Sequence, residues 1–72
     1  SEDDKVADIA DLEKLLKNPD PSRVKDYGSI ENYKKMLMGK IDRLKKQIYD
    51  QFYKYKLIDQ KTFDDLMRLF AQ

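Results

Sequence analysis

Apolar side chains recur at steps of three and four residues through the middle of this chain, and no other feature constrains the fold as much. The positions are Ile30, Tyr33, Leu37, Ile41, Leu44, Ile48, Phe52 and Tyr55. At 3.6 residues per turn they form one stripe roughly 100° wide, which an amphipathic helix buries. The spacing therefore predicts a helix over residues 30–55, about 40 Å long at 1.5 Å per residue.

A shorter helix is predicted before it, over residues 4–17. Acidic residues open the chain, and negative charge at a helix N-terminus is favourable against the helix macrodipole. The apolar positions that follow are Val6, Ile9, Leu12, Leu15 and Leu16. The segment Asn18-Pro19-Asp20-Pro21 ends this helix, because each proline disfavours helical geometry at the residue before it.

Two further N-caps are expected between these helices. Asp20 followed by Pro21 favours the start of a short helical turn that carries Val24 and Tyr27. Gly28 ends that turn, and the hydroxyl of Ser29 caps the long helix.

A last helix is predicted over residues 60–71. Asp59 is its N-cap, and Ile58 and Phe63 occupy the two positions of a hydrophobic staple. Its expected apolar face consists of Phe63, Leu66, Met67 and Phe70. Because the link over residues 56–58 is short, we expect this helix to lie antiparallel to the long one.

These elements predict an all-α fold, a three-helix bundle with one long central helix and a short fourth helical turn. No strand pattern, internal repeat or low-complexity tract appears. Gly39 lies inside the long helix, where it either permits the close approach of another helix or marks a bend.

Length and composition favour one small domain over residues 1–72. No stretch is long and apolar enough to span a membrane, so we expect a soluble domain without a membrane partner. Cysteine is absent, which favours an intracellular compartment, cytoplasmic or nuclear. The opening Ser1-Glu2-Asp3-Asp4 fits either a processed N-terminus or the edge of a domain excised from a larger protein.

The residue types argue against catalysis. Histidine and cysteine are both absent, which removes the commonest general base, the best nucleophile and the usual zinc ligands. The carboxylates of Asp64 and Asp65, and those near the N-terminus, do not follow the spacing of a calcium-binding loop. We therefore expect a non-catalytic protein with no cofactor and no metal.

Charge is separated along the chain. Residues 1–22 carry three lysines against seven acids, a net charge of −4, whereas residues 23–56 carry ten basic residues against four acids, a net charge of +6. A near-neutral total thus combines an acidic first helix with a basic long helix. Their attraction across the bundle explains the pattern without any partner.

A second face of the long helix is both aromatic and cationic, and it is the predicted partner-binding site. Its residues are Lys35, Met38, Lys45, Lys46, Tyr49, Tyr53 and Lys56, of which the six other than Lys35 are the predicted partner contacts. Tyrosine and methionine are common in binding surfaces because they offer apolar area and tolerate water at its edge. In the competing interpretation the long helix is sandwiched: the last helix covers the stripe, and the first helix covers Met38, Tyr49 and Tyr53.

Three functions remain in competition. The leading hypothesis is a protein–protein interaction module, with an adaptor, scaffold or regulatory role, that docks a partner helix or peptide. The alternative is nucleic-acid binding through the basic long helix, although a pI of about 7.8 is below the value expected of such domains. The third is a homo-oligomer in which long helices pair along the stripe.

Overall fold

A computed structural model describes residues 2–54 and 58–70, without the side chains of residues 2, 3, 53, 54 and 70. Its elements are α1 (Glu2–Lys17), α2 (Pro21–Val24), a 3-10 turn (Lys25–Tyr27), α3 (Ile30–Lys54) and α4 (Gln60–Phe70). The described residues contain no strand. The all-α prediction, with a long central helix and a short additional helix, is confirmed.

Local hydrogen bonds set the boundaries between α1 and α3 as the sequence predicts. The backbone N–H of Ser22 donates to Oδ1 of Asp20 at 3.0 Å, and Pro21 begins α2. Gly28 closes the 3-10 turn with φ of 80°, a left-handed conformation that glycine adopts without strain. The N–H of Asn32 then donates to Oγ of Ser29 at 3.1 Å, which caps α3.

The start of α4 also has the predicted cap. The N–H of Thr62 donates to Oδ1 of Asp59 at 2.8 Å. Ile58 and Phe63, the residues of the expected staple, both belong to the main hydrophobic cluster. The cap and the two apolar residues together fix where the last helix begins.

The core lies mainly in a seam between α1 and α3. Asp8, Asp11 and Leu12 share a hollow with residues 40–47, and Leu12 and Leu15 share another with residues 33–40. The two helices are therefore antiparallel. The buried residues of this seam are Ile9 from α1 and Tyr33, Leu37, Ile41 and Ile48 from α3.

The covering helix differs from the one predicted. The competing, sandwiched interpretation placed α4 over the apolar stripe, whereas α1 lies along most of it, because α1 offers the longer row of aliphatic side chains. Ile30, at the end of the stripe, is 37% exposed, and Leu44 and Phe52 are half-buried. Tyr55 lies outside the described residues.

Of the three described side chains on the predicted apolar face of α4, two are buried. Phe63 and Met67 are buried in one cluster with Ile9, Ile41 and Ile48. Leu66 was predicted on the buried face but is 39% exposed, because it lies about 100° around the helix from Met67. The side chain of Phe70 lies outside the described residues.

Gly39 does not serve the close approach of another helix. A Cβ atom at this position would meet only the guanidinium of Arg43, on the same helix, at 3.4 Å. None of the described helices is long and apolar enough to cross a membrane.

Candidate functional site

The predicted partner-binding residues of α3 lie in different environments. Met38 is 49% exposed, Lys35 and Lys46 are exposed, and Lys45 is half-buried. The side chain of Tyr53 and the whole of Lys56 lie outside the described residues.

Tyr49 is not part of an open aromatic face. It is half-buried, and its ring meets the ring of Phe63 edge-on, with 5.3 Å between centroids and 66° between planes. Tyr49 therefore helps to attach α4, which limits the surface that it offers to a partner. The long helix is therefore not sandwiched: α1 lies along the stripe, and α4 packs against Tyr49 while sharing one core cluster with Ile41 and Ile48 of that stripe.

Three of the predicted residues do share one hollow, which we call the α3–α4 notch. Lys45, Lys46 and Tyr49 line it from α3, together with Asp42. From α4 it is lined by Gln60, Phe63 and Asp64. Its volume is about 300 Å³, and its charges are mixed, because Asp42 and Asp64 stand among the two lysines.

A larger depression lies on another side of the long helix, along the contact between α1 and α3. One hollow of about 400 Å³ is lined by Asp8, Asp11, Leu12, Lys40, Arg43, Leu44 and Gln47. A second of about 240 Å³ is lined by Leu12, Leu15, Asp20, Arg23, Tyr33, Met36, Leu37 and Lys40. Because they share Leu12 and Lys40, the two hollows adjoin. We call the combined depression the seam groove.

The seam groove has the dimensions of a helix-binding site. Its α3 side runs from Tyr33 to Gln47, a distance of roughly 21 Å at 1.5 Å per residue, or about four helical turns. Its floor is apolar, and leucines of both helices contribute to it. Amphipathic helices bind in grooves of this kind through apolar residues three and four positions apart.

Charged side chains of opposite sign line the two sides of the groove. Asp8 and Asp11 form an acidic wall on α1, and Lys40 and Arg43 form a basic wall on α3. All four side chains are exposed. No ion pair within 4.0 Å joins one wall to the other in this described part of the chain. The acidic and basic helices thus meet as predicted, but these four charges remain accessible to a partner.

A carboxylate also lies at the far end of the groove. The hydroxyl of Ser22 donates to Oδ1 of Asp20 at 2.7 Å, and the N–H of Ser22 donates to the same atom. These hydrogen bonds stabilise the charged form and hold the pKa of Asp20 below its ordinary value. The carboxylate of Asp20 is therefore negatively charged in the folded domain near neutral pH.

A short sequence signal for the groove is present but was not recognised in the sequence analysis. Residues 8–12 read Asp-Ile-Ala-Asp-Leu, and residues 40–44 read Lys-Ile-Asp-Arg-Leu. In both segments the isoleucine is buried, the leucine is half-buried, and exposed charges precede each of them. The signs of those charges are opposite in the two segments. Only the antiparallel packing of α1 on α3 brings the segments together.

The described residues offer no metal centre, since no group of three or more potential ligands occurs among them. The titratable groups that line the groove and the notch are carboxylates, lysines, arginines and two tyrosines. Compared with known protein families, curated proteins and solved structures, the chain matches none. Function must therefore be argued from the surface itself.

Proposed function

We propose that this protein is a non-catalytic protein–protein interaction module that docks a helix of a partner protein in the seam groove. One observation carries the proposal: an apolar floor about four turns long lies between two walls of accessible charge. Burial of apolar area on the floor would supply affinity, and the walls would supply specificity.

Nucleic-acid binding is the weaker candidate. Phosphate contacts need a continuous basic surface, whereas carboxylates interrupt both depressions. Asp8 and Asp11 stand opposite the basic wall of the seam groove, and Asp42 and Asp64 stand among the lysines of the notch.

An affinity experiment from native cell extract tests the proposal. The immobilised wild-type chain is compared with Lys40→Glu/Arg43→Glu, which reverses the basic wall. A matched control is Lys25→Glu/Lys34→Glu, which makes the same charge change at exposed positions outside the groove. We expect a protein that survives nuclease treatment, binds the wild type and the control, and is lost from the wall variant.

Two outcomes contradict the proposal. Loss of binding after nuclease treatment would indicate a nucleic acid. Binding that survives reversal of the wall but fails in Met38→Ala or Lys46→Glu would place the partner on the α3–α4 side. Circular dichroism of each variant verifies that it is folded.

A further inference from the structure

We propose that the helix docked in the seam groove carries a basic flank and an acidic flank, and that the charged walls set the direction in which it lies. This inference rests on the proposed function, because it names the partner chemistry of the same site. It follows from the way in which the groove is built.

In the larger of the two hollows, the floor is nearly the same when read from either end. The two antiparallel segments that line it, residues 8–12 and 40–44, place equivalent residues at opposite ends of that hollow. Ile9 corresponds to Ile41 in the core below, and Leu12 corresponds to Leu44 on the floor. Since antiparallel segments of one pattern are related by a local two-fold axis, a half-turn exchanges them. Within this hollow, the apolar floor therefore carries no information about direction.

The charges break that symmetry. The half-turn that superposes Leu12 on Leu44 places the acidic wall, Asp8 and Asp11, on the basic wall, Lys40 and Arg43. The two sides of this hollow are thus related by a half-turn in shape, but their walls carry charges of opposite sign. Complementary charges across an interface determine the register and orientation of a bound partner more than they increase its affinity.

A docked helix that is turned end for end presents the same apolar face, but its two flanks exchange sides. Only one direction then places its basic flank on the acidic wall and its acidic flank on the basic wall. A helix with two acidic or two basic flanks meets one like-charged wall in both directions. From the modest value of exposed ion pairs, we expect such a helix to bind about tenfold more weakly.

Designed peptides test the inference on the intact protein. Each has about 14 residues with leucines three and four positions apart, which matches the length of the groove. Two peptides have one lysine flank and one glutamate flank, with the flanks exchanged between them. The third has glutamate on both flanks, and the fourth has lysine on both. Amide NMR signals of Leu12 and Leu44 report binding in the groove.

We expect the two mixed peptides to bind equally well and to lie in opposite directions. A spin label at the peptide N-terminus should broaden signals near Met36 for one of them and near Gln47 for the other. Broadening at the same end for both would overturn the inference, as would equal binding of the doubly acidic peptide.

The wall variant Lys40→Glu/Arg43→Glu makes both walls acidic and should transfer the preference to the doubly basic peptide. The control Lys25→Glu/Lys34→Glu should retain the preference for mixed flanks. If no peptide shifts the groove signals, the proposed function itself fails at this site. If all four bind alike, the proposed function stands and the inference about direction is wrong. Concentration-dependent shifts of the free protein at Leu12 and Leu44 would show that a second copy fills the groove, which also overturns the inference.

Discussion

The long helix α3 is held on one side by α1 and on another by α4, and the two contacts differ in kind. The contact with α1 buries aliphatic side chains along several turns, with Leu37 and Ile41 almost fully covered. Among the described side chains of α4, Phe63 and Met67 are buried in its contact, while Leu69 on the same helix is 63% exposed.

Local interactions accompany the smaller contact. Within α4, the amide of Gln60 donates to Asp64 at 2.9 Å, and Asp65 pairs with both Lys61 and Arg68. Asp59 caps the helix. A helix of 11 residues is only marginally stable by itself, so caps and pairs of neighbouring side chains matter more to it than to a helix packed along its length. The comparison teaches that tertiary burial stabilises one contact, whereas local chemistry supports the other.

The largest expected effect breaks the α4 contact. Phe63→Ala removes the side chain that joins α4 to both the core and Tyr49, so we expect a loss of about 3–5 kcal/mol in the free energy of unfolding. Urea melts followed by circular dichroism measure it. Leu69→Ala on the same helix is the control and should change stability by less than about 0.5 kcal/mol. An equally small effect of Phe63→Ala would mean that α4 is not docked.

The next effect concerns the α1 contact. Leu37→Ala should cost about 2–5 kcal/mol, because a buried aliphatic side chain would leave a cavity under α1. The neighbouring Met38→Ala is a matched control at an exposed position, where we expect a change within about 0.5 kcal/mol. Urea melts measure the free energy of unfolding of both variants. Similar losses of stability in the two would contradict the assignment of α1 to this face.

A smaller effect distinguishes an anchor from a partner site at Tyr49. Tyr49→Leu removes the edge-on ring contact with Phe63, which should cost about 0.5–1.5 kcal/mol beyond the change in buried area. A double-mutant cycle with Phe63→Leu measures the coupling between the two rings. Tyr49→Phe keeps the ring and should keep most of that coupling. Zero coupling between the two rings would contradict the role of Tyr49 as an anchor of α4.

The smallest effect concerns the cap of α4 and its dependence on pH. The N–H of Thr62, bonded to the carboxylate of Asp59, lowers the pKa of that group from its ordinary value of 3.8. A lowered pKa in the folded state means that the stabilisation is complete above pH 3.8 and is lost as the pH falls through the lower folded value.

The Thr62 amide signal should therefore titrate with a midpoint below 3.8. In Asp59→Asn, whose side chain still caps a helix but does not ionise, that titration should vanish. A wild-type midpoint at or above 3.8 would contradict the cap.

Much of this fold was predictable because its signals are local. The proline pair after α1, the left-handed Gly28, and the caps at Ser29 and Asp59 depend on a few neighbouring residues each, and they set the helix boundaries. Among the described residues of the stripe, helical periodicity predicted the buried Tyr33, Leu37, Ile41 and Ile48, whereas Leu44 and Phe52 are half-buried and Ile30 is exposed. Of the six residues predicted to bind a partner, Tyr49 is half-buried against Phe63, a covered position that the competing interpretation allowed. Helical projection could not choose between cover and open surface, because it shows direction but not which neighbour lies there.

The sequence by itself determined an all-α chain with one long helix, an acidic helix before it and a basic surface upon it, since propensity, capping and period act over a few residues. Only the tertiary structure decided which helix covers which face, because α1 and α4 both present apolar surfaces that fit an apolar stripe. That choice also produced the seam groove: its walls lie 32 residues apart along the chain, from Asp8 to Lys40, and no local rule relates positions at that separation. Antiparallel packing alone placed opposite charges on the two sides of one apolar floor.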